Sequence, residues 1–208
     1  MKISYAITVC TEVQEFERLL DFLVPRIRKE DEIIVLQDIS KDPEEVNKVF
    51  IERADDIECR ITGKFADDFA EWKNDLNAYC TGDYIFQLDA DELPAESFIE
   101  SLPNILEKNS RVDLFWVPRS NLVEGLTEND IRNWGWIVDK QGRVNWPDYQ
   151  GRIYRNSKDI KWVGKVHEKI EGHKTFVFLP DRYFLHHDKT IAKQRQQNEH
   201  YSKIQYGR

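Results

Sequence analysis

One stretch decides the fold: Tyr84-Ile85-Phe86-Gln87-Leu88-Asp89-Ala90-Asp91-Glu92. The largely apolar run before the acids is typical of a buried strand, so the carboxylates follow at the end of that strand. Closely spaced carboxylates in such a place suit a hard divalent cation, which prefers oxygen ligands. The chain already has a net charge of −8. A bound cation would therefore also offset the electrostatic cost of placing these acids together.

The composition limits the class of protein. The length of 208 residues is enough for one large domain with its own core. The acidic balance, with a pI near 5.2, argues against a nucleic-acid binder, which would present a basic face. The three cysteines have no metal-ligand spacing, which favours a reduced, cytoplasmic setting. We find no signal pattern or long apolar span, so we expect a soluble protein without direct membrane insertion.

The first half of the chain alternates apolar runs and helical patterns. Strands are predicted at Ile3–Val9, 33–36, 57–61 and 84–88, and the helix before the last strand is expected to extend from about Phe65 to a stop near Gly82. This order predicts an α/β fold with a mostly parallel central sheet flanked by helices. Ligands of such sheets bind outside the carboxyl ends of the strands.

Polar residues follow three of the predicted strands. Thr11 and Glu12 come after the first strand, Asp38 after the second, and Asp89 and Asp91 after the fourth. Because parallel strands end at one edge, we expect these side chains to converge. No glycine-rich dinucleotide fingerprint follows the first strand, and no phosphate-binding loop is present, which argues against those two kinds of nucleotide site.

Three segments resemble family 2 glycosyltransferases of the GT-A fold. Residues 35–42, Val-Leu-Gln-Asp-Ile-Ser-Lys-Asp, resemble the family's Val-Val-Asp-Asp-Gly-Ser-x-Asp segment. Trp72-Lys73-Asn74 resembles its Ala-Arg-Asn element, and residues 82–92 resemble its Gly-Asp-Tyr-Ile-x-x-Leu-Asp-Ala-Asp-Asp. Ile39 stands where the family usually has glycine. Lys73 stands in place of arginine, which keeps the charge and loses the bidentate fork.

The resemblance implies a single GT-A domain over residues 1–208. Residues 1–92 would form the nucleotide-sugar-binding half, 93–189 the acceptor and catalytic half, and 190–208 a C-terminal helix that makes a small extension. The implied activity is inverting transfer of a hexose from a nucleoside-diphosphate sugar, a UDP-sugar first, to a hydroxyl of a saccharide or other acceptor. Mn²⁺ or Mg²⁺ would stabilise the leaving diphosphate.

Carried onto this sequence, the resemblance gives roles to residues of the donor side. Thr11 and Glu12 would border the nucleobase, and Asp38 would accept its imide N–H. Lys73 and Asn74 would lie near the diphosphate. Both could equally be plain polar residues of an exposed helix surface.

The same resemblance defines the metal site. Asp89 would contact the ribose or a metal-bound water, Ala90 would lie beside the donor, and Asp91 would ligate the metal. A late histidine would complete the metal shell, and motif position favours His186 slightly over His187. A solvated acidic turn that caps the next helix remains the alternative for Asp89 and Asp91.

The second half of the chain is less regular. A strand is predicted at 112–117, followed by a long polar loop over 121–150 that would be either a lid or an idle connection. Inversion needs a carboxylate that takes the acceptor proton; Glu168 is the first candidate and Asp148 the second. Of Arg152 and Arg155, at most one should face the substrate, because their odd separation places them on opposite faces of a strand.

Two other functions remain open from the sequence. A sugar nucleotidyltransferase shares this sheet and metal chemistry, although it usually has a glycine-rich, basic loop after the first strand, where residues 10–15 are acidic and lack glycine. A non-catalytic nucleotide- or glycan-binding module would keep donor binding without turnover.

Overall fold

A computed structural model describes residues 1–206 of the chain. The strands are β1 Ile3–Val9, β2 Glu32–Asp38, β3 Cys59–Gly63, β4 Tyr84–Asp89, β5 Leu93–Pro94, β6 Leu114–Glu124, β7 Arg143–Arg155, β8 Lys161–Val163, β9 Lys169–Glu171, β10 Phe176–Phe178 and β11 Leu185–Thr190. The helices are α1 Val13–Leu23, α2 Glu44–Glu52, α3 Phe69–Asn77, α4 Glu96–Lys108, α5 Glu128–Trp134 and α6 Ile191–Tyr206. Within residues 1–206, no helix is long and apolar enough to cross a membrane.

One large sheet organises the molecule, in the order β3-β2-β1-β4-β7-β6-β11-β5, with β10 beside the start of β6. Strands β3, β2, β1 and β4 are parallel, as predicted. Strand β7 runs antiparallel to both β4 and β6, and β11 runs parallel to β6. Strands β8 and β9 form a separate hairpin. The carboxyl ends of β1, β2 and β4 therefore share one edge.

Each face of the sheet is covered by helices. The stripe Phe16, Leu19, Leu20 and Leu23 of α1 is fully buried in the larger core cluster, and full burial of such side chains stabilises by about 1.5–3 kcal/mol each. Leu76 of α3 belongs to a smaller cluster on the other face, together with residues of β8 and β9.

Helix α3 is shorter than predicted. Asp67 has a positive φ, and the Asp68 carboxylate accepts the Glu71 N–H at 2.9 Å, so the helix begins only after this cap. Phe65 precedes the helix and packs against the rings of Phe69 and Trp72. The helix ends at Asn77 because the residues up to 83 turn the chain into β4.

The predicted strand at 112–117 is part of the longer strand β6. Pro118 does not end it, since the pairing with β7 continues through Pro118 and Arg119. A proline lacks only its own backbone N–H donor. In an antiparallel pair of strands, every second residue makes no backbone hydrogen bond to the partner strand, so a proline can be accommodated there.

The predicted long loop over 121–150 is wrong. The end of β6, helix α5 and the start of β7 occupy most of it. A capping box between Thr127 and Asp130 starts α5, and Gly135, in the left-handed conformation, ends it.

Candidate active site

A cavity of about 950 Å³ opens at the carboxyl ends of β1, β2 and β4. The polar residues expected at this edge do converge: the cavity is lined by Thr11, Glu12, Asp38, Asp89 and Asp91, together with Ala90. Residues from β6, β7, the segment before β9, and helix α6 complete the wall. The cavity is large enough for a nucleotide-sized ligand.

Asp89 lies between two buried cations. Its Oδ2 accepts a hydrogen bond from Nη2 of Arg152 at 2.8 Å. Its Oδ1 lies 3.6 Å from Nζ of Lys73 and accepts a hydrogen bond from the Thr8 hydroxyl at 3.0 Å. Burial alone would raise the pKa of Asp89, but Lys73 and Arg152 hold it well below its usual range. The Asp89 side chain is therefore a fixed carboxylate.

Glu92 lies behind the cavity wall and contacts two arginines that line the cavity, a position that the sequence analysis did not predict. It is fully buried, and its Oε1 accepts Nη2 of Arg152 at 2.5 Å and Nη1 of Arg119 at 3.0 Å. A bulge aims Arg152 at these acids, because Phe115 pairs with Ile153 whereas Trp116 pairs with Gly151. Arg152 is the extra residue of this bulge, and bulges often change the direction of a side chain in this way near functional sites.

Asp91 begins a second set of contacts. His187 Nε2 lies 3.6 Å from Oδ2 of Asp91, and Nδ1 of His187 lies 2.6 Å from Oδ1 of Asn121. Asn121 donates its amide to Oδ2 of Asp148 at 2.9 Å, so its carbonyl oxygen is left to accept the Nδ1–H of His187. Nε2 then presents a lone pair toward Asp91.

Arg119 joins the two sets. It donates to Oδ2 of Asp148 at 2.8 Å and 3.0 Å while also donating to Glu92. Burial would raise the pKa of Asp148, yet Arg119, Asn121 and Gln150 lower it. One continuous network of polar contacts therefore runs from Asp91 to Asp89.

The comparisons with known proteins agree with this architecture. The sequence model of Glycosyl transferase family 2 matches residues 4–161. The chain belongs to glycosyl transferase family 2. No curated protein sequence matches it.

Solved structures of S. aureus TarS are similar in fold to this family 2 chain. The TarS 1–349 complex with UDP has a TM-score of 0.64 at 12% identity, and the match covers 98% of this chain and 65% of that one. The complex with UDP-GlcNAc has a TM-score of 0.63 at 14% identity, with 91% and 59% covered. The chain thus spans less than two thirds of those proteins. The GT-A fold expected from the sequence is confirmed.

The family implies a divalent metal ion, and the side chains at the carboxyl end of β4 show whether such an ion could be bound there. Among residues 1–206, no set of three or more His, Cys, Asp or Glu side chains forms a ready-made metal cage. Asp91 and His187 nevertheless present two lone-pair donors to each other, and burial lowers the pKa of His187, which keeps its imidazole neutral. Mg²⁺ and Mn²⁺ often take only one or two protein ligands and complete their shell with substrate phosphates and water. The pair fits an ion that arrives with a diphosphate.

The structure corrects the preference for His186. His186 lies on the opposite face of β11 from His187 and pairs with Leu93 of β5. Its ring packs at a tilt against that of Phe184, with a ring-centroid distance of 4.5 Å. It does not line the cavity. Of the two histidines, His187 is the one beside Asp91.

Asn74 is also corrected. Its amide donates to the Trp162 carbonyl at 2.9 Å, and its Oδ1 accepts the Trp162 N–H at 2.9 Å. Both ends of the side chain therefore fasten α3 to β8, and Asn74 does not line the cavity. In the family 2 chain the Asn74 side chain therefore joins two elements beside the cavity.

Lys73 and Arg152 lie at the site, whereas Arg155 does not. Lys73 is buried, and its Nζ donates to Oε1 of Glu168 at 2.7 Å. Arg155 lies at the far end of β7, where it contacts Asp113 and the hydroxyl of Tyr84. Only Arg152 faces the cavity, in agreement with the expectation for that pair.

The nucleobase candidates are held by the loops around them. Asp38 accepts the backbone N–H groups of Ser40 and Phe65 at 2.8 Å and 3.1 Å. Glu12 accepts the backbone N–H groups of Cys10 and Thr11, each at 2.9 Å. These acids shape the two loops at the cavity edge as well as lining it.

Helix α6 lies across the cavity and brings residues that the sequence analysis missed. Lys193 Nζ lies 3.3 Å from Oδ2 of Asp91 and 3.3 Å from Oε1 of Glu15. Tyr201 of α6 packs on Phe69 and on His167, with ring-centroid distances of 5.6 Å and 5.7 Å. The C-terminal helix is therefore part of the site wall.

Proposed function

We propose that the chain is an inverting glycosyltransferase that moves a hexose from a nucleoside-diphosphate sugar, a UDP-sugar first, to an acceptor hydroxyl. The observation that carries this proposal is the position of Asp89, Asp91 and His187 at the carboxyl end of β4, on the wall of a nucleotide-sized cavity in a family 2 fold. The UDP and UDP-GlcNAc complexes of the structurally similar TarS support a uridine donor.

The diphosphate of the donor would lie against Asp91 and His187. A divalent ion, Mn²⁺ or Mg²⁺, held by these two residues would neutralise charge on the leaving diphosphate. Lys73 and Arg152 are cationic side chains that lie on the same cavity wall, beside Asp89, and they would assist. Thr11, Glu12 and Asp38 line the same cavity, and we propose that they bind the nucleobase.

Glu168 is the proposed base. Among the described residues its hydrogen bonds engage only Oε1, through Lys73, so Oε2 is free to accept a proton. The acceptor oxygen would form a bond to the anomeric carbon as the bond from that carbon to the diphosphate oxygen breaks, and Glu168 would take the hydroxyl proton. This single displacement inverts the configuration and leaves no covalent intermediate.

Asp148 is the weaker candidate for the base. Both of its oxygens already accept hydrogen bonds from Arg119, Asn121 and Gln150, and its pKa is lowered. A carboxylate held in this way is a poor proton acceptor. We propose that Asp148 orients Asn121 and Arg119 instead.

The first test is a calorimetric titration of UDP in Mn²⁺ and again in EDTA, followed by assays of UDP release from UDP-GlcNAc, UDP-glucose and UDP-galactose with water as acceptor. Glu168→Gln should bind UDP normally and lose about 10²–10⁴-fold in kcat. Glu171→Gln is the matched control, because Glu171 is exposed on β9.

Other outcomes point to other functions. If Asp148→Asn loses kcat while Glu168→Gln keeps it, the base assignment is reversed. Metal-dependent UDP binding without release from any of the three sugars would favour a non-catalytic module. Formation of a UDP-sugar from UTP and a sugar phosphate would favour a nucleotidyltransferase.

A further inference from the structure

Four aromatic rings extend from the cavity onto the protein surface; we call Trp116, Tyr149, Phe176 and Phe178 the aromatic platform. Trp116 and Tyr149 line the cavity, and Phe176 and Phe178 continue outward beside them. Phe176 and Phe178 are each 54% exposed. Two neighbouring phenylalanine rings therefore leave much of their apolar surface in contact with water, which is unfavourable unless a ligand covers it.

The strand pairing explains why the rings are adjacent. Strand β10 runs parallel to β6, so Phe178 pairs with Trp116, and Phe176 pairs with Leu114 two residues earlier. The rings of Trp116 and Phe178 stack with centroids 5.9 Å apart and planes within 18°. Phe176 follows at 5.8 Å from Phe178. The rings thus step away from the cavity along one face of the sheet.

Tyr149 links the platform to the site. Its ring lies 4.8 Å from that of Phe178, and it directly follows Asp148 on β7. Its hydroxyl lies 3.5 Å from a carboxylate oxygen of Asp181. Gly151 of β7 is the pairing partner of Trp116 on β6, and the indole is partly buried beside Leu114 and Ile170.

We propose that the aromatic platform binds the acceptor and that the acceptor is an oligosaccharide, an inference that rests on the proposed function. Pyranose rings have apolar faces that stack on aromatic side chains, while their hydroxyls need polar partners such as Tyr149 and Asp181 at the edge. One sugar unit would lie at the catalytic carboxylates and the following units over Trp116, Phe178 and Phe176.

A second copy of the chain fits this surface less well. A stable protein interface engages about 20–30 residues on each side. The other exposed large apolar residues among the described ones are scattered: Met1, Ile51, Tyr79, Leu122, Ile137 and Tyr206. A narrow row of rings that begins inside a cavity suits an extended small ligand.

The test compares Phe176→Ala and Phe178→Ala with Tyr79→Ala, a control that removes a ring 49% exposed and outside the cavity wall. Labelled protein saturated with UDP and Mn²⁺ is applied to an array of bacterial, plant and animal oligosaccharides. The strongest binder is then titrated in solution. Each phenylalanine variant should weaken its binding by about threefold to tenfold, while Tyr79→Ala leaves it unchanged and all variants bind UDP like the wild type.

The outcomes separate this inference from the donor proposal. If wild-type protein binds UDP but no oligosaccharide, or if the phenylalanine variants bind the oligosaccharide as the wild type does, the platform is not an acceptor site and the donor proposal stands. If UDP does not bind, the proposed function fails whatever the array shows. A wild-type dimer that Phe178→Ala converts to a monomer in light scattering would assign the surface to a contact between copies and overturn the inference.

Discussion

The two ends of the central sheet both hold buried carboxylates, but with different partners. At the amino end of β2, Glu32 accepts hydrogen bonds from Lys2 at 2.6 Å, the Ser4 hydroxyl at 2.5 Å, and the backbone N–H and hydroxyl of Thr81 at 2.6 Å and 2.8 Å. Burial would raise the pKa of Glu32, yet these donors lower it to about 2. Its oxygens are fully used.

At the carboxyl end, Asp89 and Asp91 are also held with lowered pKa values. Long cationic side chains from other parts of the chain, Lys73, Arg152 and Lys193, lie beside them. Both aspartates border the open cavity.

A depressed pKa therefore does not by itself separate a structural acid from a functional one. Each oxygen of Glu32 accepts two hydrogen bonds, one of them from the cationic Lys2, so no lone pair is left for a ligand, and Glu32 does not line the cavity. Flexible lysine and arginine side chains beside open space can shift when a ligand with its own charges enters. Cationic side chains are present at both ends, so the open cavity beside Asp89 and Asp91 is what distinguishes the two ends of the sheet.

The largest expected effect is that of Arg152→Met on stability. Arg152 neutralises both Asp89 and Glu92, and Glu92 has no exposed side-chain surface. Removal of one partner from a buried ion network typically costs about 3–5 kcal/mol in the free energy of unfolding. Urea unfolding measures the change. Arg155 lies on the same strand but is about one-third exposed, so Arg155→Met should lower the free energy of unfolding by about 1 kcal/mol or less. If the two variants lose the same free energy of unfolding, burial of the Asp89–Arg152–Glu92 network does not make it important for stability.

The next effect is that of Asp91→Asn on donor binding. Loss of a charged metal ligand should lower the affinity for UDP with Mn²⁺ by about 100-fold or more, with little change in the unfolding free energy. Calorimetry measures the affinity, with EDTA as the metal-free reference. If the variant binds UDP as tightly as the wild type in Mn²⁺, Asp91 does not belong to the donor site.

Much of the fold of the first half of the chain could be predicted from the sequence, because buried parallel strands have nearly continuous runs of apolar residues. The runs ending at Val9 and Leu88 are followed directly by their site residues, so the edge of the sheet could be located without a structure. The second half depends on long-range pairing. Nothing local around Arg152 reveals that a bulge aims it at Asp89, and Arg119 and Lys193 reach the site only through the way β6 and α6 pack.

One error had a usable signal. Strand side chains alternate, so His187 shares a face with the apolar Leu185, and His186 lies on the other. Leu185 is fully buried, so the histidine two residues later was the better candidate for the interior. Asn74 offered no such signal, because its binding to Trp162 depends on the position of the β8–β9 hairpin.

A smaller effect is expected for Glu32→Gln, the matched test at the other end of the sheet. The variant weakens charge-assisted hydrogen bonds to Lys2, Ser4 and Thr81, which should cost about 1–3 kcal/mol in the free energy of unfolding. UDP binding should not change. A loss of UDP affinity comparable to that of Asp91→Asn would mean that the two ends of the sheet are not independent.

The smallest effect is the pH dependence of the difference in unfolding free energy between the wild type and Glu32→Gln. The folded pKa of Glu32, about 2, lies below the ordinary value of 4.5, so the unfolded chain binds more protons between these values. The stability due to Glu32 is therefore fully present above about pH 5 and is lost as the pH falls toward 2, with a slope of at most about 1.4 kcal/mol per pH unit. Urea unfolding of wild type and Glu32→Gln at several pH values isolates this contribution, because Asp89 and Asp91 titrate in both proteins. The difference between them should be constant near neutrality and shrink in acid. A difference that grows as the pH falls would show that Glu32 is destabilising as a carboxylate, contrary to the contacts at the amino end of the sheet.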